Sequence, residues 1–182
     1  MEHVEYEERA LIREEDYLII LEDIKREGLP FTNLHIENIY LDNDKHSIKS
    51  HKMVLRIRTI NNKEQELTLK VKNEDGSCNE INETLNNHPL IDEELNNEFD
   101  SYYEIARLAT DRVEVQYDDY LFVLDKNYYH GVVDFDIEIE ANSQQKALEI
   151  IKKYCKKYNL EYKSNYVSKS RRAILEVEKT RN

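Results

Sequence analysis

Between Val132 and Ala141 the chain reads V-V-D-F-D-I-E-I-E-A, with acidic and apolar residues alternating at almost every step. A period of two predicts a strand with Asp134, Asp136, Glu138 and Glu140 along one face and Phe135, Ile137 and Ile139 along the other. Like charges in a row repel, so the acidic face suits a solvated edge as well as a site where divalent cations or a cationic wall stand opposite. The opening residues share the period. Glu5, Glu7 and Arg9 fall on one face there, Val4, Tyr6, Glu8 and Ala10 on the other.

Strand-like runs over 35–43, 52–60, 66–72, 78–85, 111–117 and 120–126 bring the strand count to eight. Polar turns such as Asn61-Asn62-Lys63 and Glu74-Asp75-Gly76 suit antiparallel hairpins. Several of these runs are two-faced: Arg56 and Arg58 oppose Leu55 and Ile57, Thr68, Lys70 and Lys72 oppose Leu67, Leu69 and Val71, and Arg112 and Glu114 oppose Val113 and Val115. Glu80 and Asn82 share a face in the run over 78–85. Helical spacing predicts helices over 13–27, 92–109 and 143–158, with a shorter one over 168–177 that carries Lys169, Arg171 and Arg172. Gly28 and Pro30 stop the first helix, and Ser143 is placed to cap the third.

No repeat, linker or charge block divides this order, so one α+β domain over 1–182 is expected. The amphipathic helices need apolar surface to cover. If the eight strands close into a barrel whose apolar faces meet those helices from outside, the charged faces line the interior as a polar tunnel. A lumen lined with both signs must be wet or liganded to offset the desolvation of its charges.

Composition narrows the partners. The net charge of −12 argues against bulk nucleic acid or an anionic membrane as partner, both of which call for a basic surface. The aliphatic run at 18–21 is far shorter than the roughly 20 residues of a membrane span. Cys78 and Cys155 have no zinc-type spacing, and no signal peptide precedes them, which makes a reduced cytoplasm the simplest location. The scattered histidines lack the paired spacing of a zinc site.

Several stretches, in order, resemble the CYTH domains, also called triphosphate tunnel metalloenzymes. Glu5-Tyr6-Glu7-Glu8-Arg9 is similar to their ExExK signature, with Arg in the last place. Leu55-Arg56-Ile57-Arg58, Leu67-Thr68-Leu69-Lys70, Arg112, Leu124-Asp125-Lys126-Asn127, Glu138-Ile139-Glu140, and Lys169 with Arg171 extend the match over nearly the whole chain. The short form with L-D-K-N before an acidic strand looks most like the small bacterial YjbK-like branch. The resemblance implies a closed eight-stranded antiparallel tunnel that binds Mg²⁺ or Mn²⁺ and a triphosphate-containing small molecule. It assigns the metal to Glu5, Glu7, Glu138 and Glu140, with Asp136 beside them, and phosphate oxygens to Arg56, Arg58, Lys70, Lys72, Arg112, Lys169 and Arg171. Glu5, Glu7 and Arg9 form the signature expected to serve catalysis. Asp125 and Lys126 fall at a strand end, where a turn role fits as well as a site role.

The resemblance leaves three classes of function: a metal-dependent triphosphatase, a polyphosphate- or nucleotide-binding module without turnover, and an adenylate cyclase like those of class IV. The first is the leading expectation. Arg9 favours the second, because an arginine stays protonated where the signature lysine can be imagined shuttling a proton. A cyclase needs a base pocket, and none is legible in the sequence.

Overall fold

The computed structural model describes residues 2–73, 77–84, 102–164 and 167–181, with the backbone alone at 2–5 and 181. It is an α+β fold of eight antiparallel strands with helices. The elements are β1 (Glu2–Ile12), α1 (Glu14–Glu27), β2 (Thr32–Asp42), α2 (Ser47–Ser50), β3 (Met53–Ile60), β4 (Glu64–Lys72), β5 (Cys78–Thr84), β6 (Tyr103–Gln116), β7 (Tyr120–Tyr129), β8 (Val132–Ala141), α3 (Gln144–Lys157) and α4 (Lys169–Arg181). The chain packs as two compact units, one of Met1–Val4, Ile36–Ala109 and Ser168–Asn182, the other of Glu5–His35 and Thr110–Val167. They are called unit 1 and unit 2 below. No helix among the described residues is long and apolar enough to cross a membrane.

In unit 2 the order is β6, β7, β8, β1. The β7–β8 hairpin turns on His130 and Gly131, with φ of 44° and 80°. Two consecutive left-handed residues match the right-handed twist of the flanking strands, and glycine adopts that conformation without a Cβ clash. The tight turn pairs Tyr129 with Val132, and from there the register is set: Asn127 faces Asp134, Asp125 faces Asp136 and Val123 faces Glu138. On the other side of β8, Arg9 faces Glu138 and Glu7 faces Glu140.

One side of these strands is apolar and meets helices. Tyr17, Ile20 and Ile24 of α1 and Ala147, Ile150, Ile151 and Cys155 of α3 pack with Val113, Val115, Phe122, Leu124, Phe135, Ile137 and Ile139 in one core. Acids fill the first turn of α1, Lys25 and Arg26 the last, and Gly28 closes it in the left-handed conformation at φ 65°. Ser143 caps α3 by accepting from the Lys146 amide. Ser143→Ala should therefore cost about 1 kcal/mol, read as a lower urea midpoint at unchanged slope.

Unit 1 orders its strands β5, β4, β3, β2 and the first part of β6. Asn61 and Asn62, at φ 51° and 57°, make the β3–β4 turn. Leu41, Leu55 and Ile48 of α2 form its small core, with Ile39, Met53, Ile57, Leu67 and Leu69 packed against them. Apolar residues thus share one side of the sheet, and Arg56, Arg58, Thr68 and Lys70 take the other.

One predicted element differs. The helix expected over 92–109 is a strand from Tyr103 onward, and 92–101 lies outside the described residues. Ala106, Leu108 and Thr110 are buried at a spacing of two. Ala106 fits either period, so its i, i+4 relation to Tyr102 was not diagnostic, and pairing across the sheet decides. The last helix is also longer than expected, running to Arg181.

Candidate active site

Strand register gives unit 2 a buried acidic cluster. Asp125 of β7 and Asp136 and Glu138 of β8 are buried and offer carboxylate oxygens within 4.8 Å of one another. Arg112 of β6 reaches into them. Its Nε and a terminal nitrogen donate to the two oxygens of Asp125 at 3.0 and 2.9 Å, and that terminal nitrogen also donates to Glu138 at 3.2 Å. Glu114 lies 3.5 Å from the same guanidinium. Arg9 of β1 pairs with Glu7 and stands 3.3 Å from Glu138. Asn127 fixes the far end, donating to Asp134 at 3.0 Å and Asp136 at 2.9 Å while accepting from the Thr110 hydroxyl at 2.9 Å.

Burial by itself would lower the pKa of both arginines, yet the surrounding carboxylates hold both above the ordinary value. Neither releases a proton at any working pH. Six carboxylates, Glu7, Glu114, Asp125, Asp136, Glu138 and Glu140, act on these two guanidinium groups. The surplus is negative, and each carboxylate oxygen retains lone pairs beyond those it gives to arginine. A hard divalent cation that prefers oxygen fits this donor set.

The metal assignment made from the sequence omitted Asp125. Counting back from the two-residue His130-Gly131 turn places it opposite Asp136, so the signal was present in the chain. Glu7 and Glu140 stand opposite each other on β1 and β8. The Glu5 side chain lies outside the described residues.

Unit 1 carries the basic face. Arg56 pairs across strands with Tyr40 and Thr68, Arg58 with Asn38 and Glu66, and Lys70 with Glu80 and Val54. A terminal nitrogen of Arg56 donates to Glu80 at 3.5 Å, Lys70 stands 3.1 Å from the same carboxylate, and Arg58 donates to Glu66 at 3.3 Å. Burial pushes the Glu80 pKa up, but Arg56, Lys70 and Arg58 outweigh it and leave the carboxyl below its usual range. The sign follows: stability from Glu80 is present at neutral pH and lost as pH falls through the depressed value. Glu80→Gln should flatten the acid limb of a stability-versus-pH curve.

On the same face the Nε of Arg56, the Oδ1 of Asn38 and the Oγ1 of Thr68 are buried with no hydrogen-bond partner among the described residues. Each such atom costs about 1–3 kcal/mol unless something else satisfies it. Lys72, at the end of β4, is exposed. Lys169 opens α4, and Arg171 on the same helix stands 3.7 Å from Glu178.

Buried acids and a half-buried basic row on the strands of an α+β chain agree with a family match: the CYTH domain model matches residues 3–173. The chain belongs to the CYTH domain family. Solved structures with the CYTH chain's fold include a candidate adenylate cyclase from Bacillus halodurans, 22% identical over 94% of this chain and 97% of that one, with a TM-score of 0.75. Another is a candidate adenylyl cyclase from Hippeastrum with a dominant triphosphatase activity, 16% identical over 93% of each chain at a TM-score of 0.69. A third, the PH1819 protein from Pyrococcus horikoshii, is 22% identical over 98% and 99% at a TM-score of 0.67. No curated protein matches this CYTH chain significantly.

Proposed function

We propose that this CYTH chain is a metal-dependent triphosphatase that acts on inorganic triphosphate or on a nucleoside or other organic triphosphate. The observation that carries the reading is the charge on strand faces: Asp125, Asp136 and Glu138 cluster in unit 2, and Arg56, Arg58 and Lys70 form a basic row in unit 1. The closed eight-stranded tunnel implied by the resemblance, the single domain over 1–182 expected from the undivided chain, and a YjbK-like affiliation all belong to this proposal.

Asp125, Asp136 and Glu138, with Glu5, Glu7 and Glu140, would hold Mg²⁺ or Mn²⁺. When bound, such an ion neutralises phosphate charge and lowers the pKa of a bound water. Arg112, assigned to phosphate on the resemblance, bonds to Asp125 and Glu138, and with Arg9 it keeps the acids oriented and limits their mutual repulsion. Arg56 and Arg58 offer forked donors to phosphate oxygens, and Lys70 a mobile point charge. Lys72, Lys169 and Arg171 are assigned to phosphate on the resemblance alone. Positioning and charge stabilisation account for most of phosphoryl-transfer catalysis, so a site without a neutral general base is compatible with turnover.

One observation favours a second reading. Arg9 is held protonated by Glu7, Glu138, Asp136 and Asp125, which removes it as a proton shuttle and fits a module that binds without turnover.

A substrate panel separates the readings. Tripolyphosphate and nucleoside triphosphates are incubated with Mg²⁺ or Mn²⁺, and orthophosphate, pyrophosphate and cyclic nucleotide are quantified. Orthophosphate that disappears with chelator supports the triphosphatase. Pyrophosphate with cyclic nucleotide makes the chain a cyclase, and tight binding without product makes it the module.

A further inference from the structure

Thr110, Asn127, Asp134 and Asp136 form a chain of hydrogen bonds across three neighbouring strands of unit 2, β6, β7 and β8. Thr110, Asn127 and Asp136 are all buried. The register sets Asn127 opposite Asp134, and Asp136 is the next residue along that face of β8. The amide nitrogen of Asn127 donates to Oδ1 of Asp134 at 3.0 Å and to Oδ2 of Asp136 at 2.9 Å, while its oxygen accepts from the Thr110 hydroxyl at 2.9 Å. An ionised carboxylate only accepts, so the nitrogen end of the amide must face the two acids, and the Thr110 hydroxyl locks that orientation.

The clamp treats its two acids differently. Asp134 commits both oxygens nearby, Oδ1 to Asn127 and Oδ2 to the Tyr129 hydroxyl. Asp136 gives Oδ2 to the amide, and its Oδ1 lies outside the clamp. It is Asp136 that shares the cluster with Asp125 and Glu138, in which carboxylate oxygens lie within 4.8 Å of one another. The last torsion of an aspartate is soft, and three buried carboxylates this close repel, so an untethered Asp136 would turn away from its neighbours. Arg112 tethers Asp125 and Glu138, and it cancels negative charge as it orders them. Asn127 orders Asp136 without bringing any charge, so the attraction for a cation is preserved.

Resting on the metal assignment above, we propose that Asn127, held by Thr110, is a positioning residue of the acidic cluster. It keeps Asp136 in place to ligate a divalent cation and withdraws Asp134 from that task. Its own oxygen is directed at Thr110, so it acts through Asp136 and not as a ligand. Hydrogen-bond partners standing behind metal ligands are worth about 10–100-fold in metal affinity.

Calorimetric titration of the full chain with Mn²⁺ alone, together with the electron paramagnetic resonance spectrum of the bound ion, tests the proposal. Asn127→Leu keeps the size and removes the amide. It should weaken Mn²⁺ binding by about 10–100-fold and broaden the resonance lines, because the ion loses a fixed oxygen. Thr110→Val leaves every carboxylate in place and should weaken binding in the same direction to a smaller extent. If Asn127→Leu fails to fold, Thr110→Val decides. Asp134→Asn removes a charge beside the clamp and should weaken binding less than Asn127→Leu does. Unchanged affinity and spectrum in the deciding variant overturn the proposal. So does an Asp134→Asn loss as large as that of the deciding variant, which would make local charge and not position the cause. A wild-type protein that binds no Mn²⁺ sinks the metal assignment and this role with it, whereas a wild type that binds alongside an equal variant sinks the role alone.

Discussion

Replacing Arg112 with methionine should lower the free energy of unfolding by about 3–5 kcal/mol, the range for removing one partner of a buried ion pair. Asp125 is fully buried and takes two hydrogen bonds from this guanidinium, and Glu138, 3% exposed, takes a third. The methionine would fill much of the volume but leave those carboxylates uncompensated. Urea denaturation should show the loss as a fall in midpoint at nearly constant slope. A second outcome makes this test more specific than a stability scan. If the acids form a cation site, Mn²⁺ should stabilise the variant more than the wild type, because it would restore the missing positive charge. A variant within about 1 kcal/mol of wild type would show that the pair is not desolvated as drawn. A loss that Mn²⁺ does not reduce would remove the acidic cluster from the metal assignment.

Much of this arrangement can be read from residue order because a strand displays its faces with a period of two. The acids of β8 and the Arg56-Arg58 and Thr68-Lys70 rows need only that period. Leu55, Ile57, Leu67 and Leu69 on the opposite face follow from the same count. Cross-strand partners are harder to read, since they depend on register. Arg56 meets Glu80 and Arg58 meets Glu66, contacts that the faces alone do not reveal. The sequence pattern ends β7 at Lys126, before the turn, and so leaves Asp125 at a strand end when it lies mid-strand opposite Asp136. The His130-Gly131 pair would have corrected this, since only a tight two-residue turn pairs Tyr129 with Val132. Tyr103 to Ala109 illustrates a different limit. Helical spacing of a few apolar residues is weak evidence when the segment pairs in a sheet.

Replacing Arg56 with methionine should have the opposite balance of effects: little change in stability and a large loss of function. Among the described residues Arg56 makes one long hydrogen bond, 3.5 Å to Glu80, and its Nε is buried without a partner. Lys70 stays 3.1 Å from Glu80 after the change, so that carboxylate keeps a cation. Removing a half-satisfied guanidinium relieves a desolvation cost that offsets most of the lost attraction, and unfolding free energy should move by less than about 1 kcal/mol. On the proposed reading, the spare donors are the ones that meet phosphate oxygens. The variant should therefore lose most of the rise in melting temperature that tripolyphosphate gives the wild type, and kcat/KM should fall by about 10²-fold, the scale for deleting one charge-stabilising donor. Arg56→Lys should recover only part of either quantity, since the ammonium keeps the charge and lacks the fork. If Arg56→Met instead destabilises the protein as much as Arg112→Met and leaves the tripolyphosphate response intact, Arg56 is a structural ion-pair residue and the basic face is not where phosphate binds.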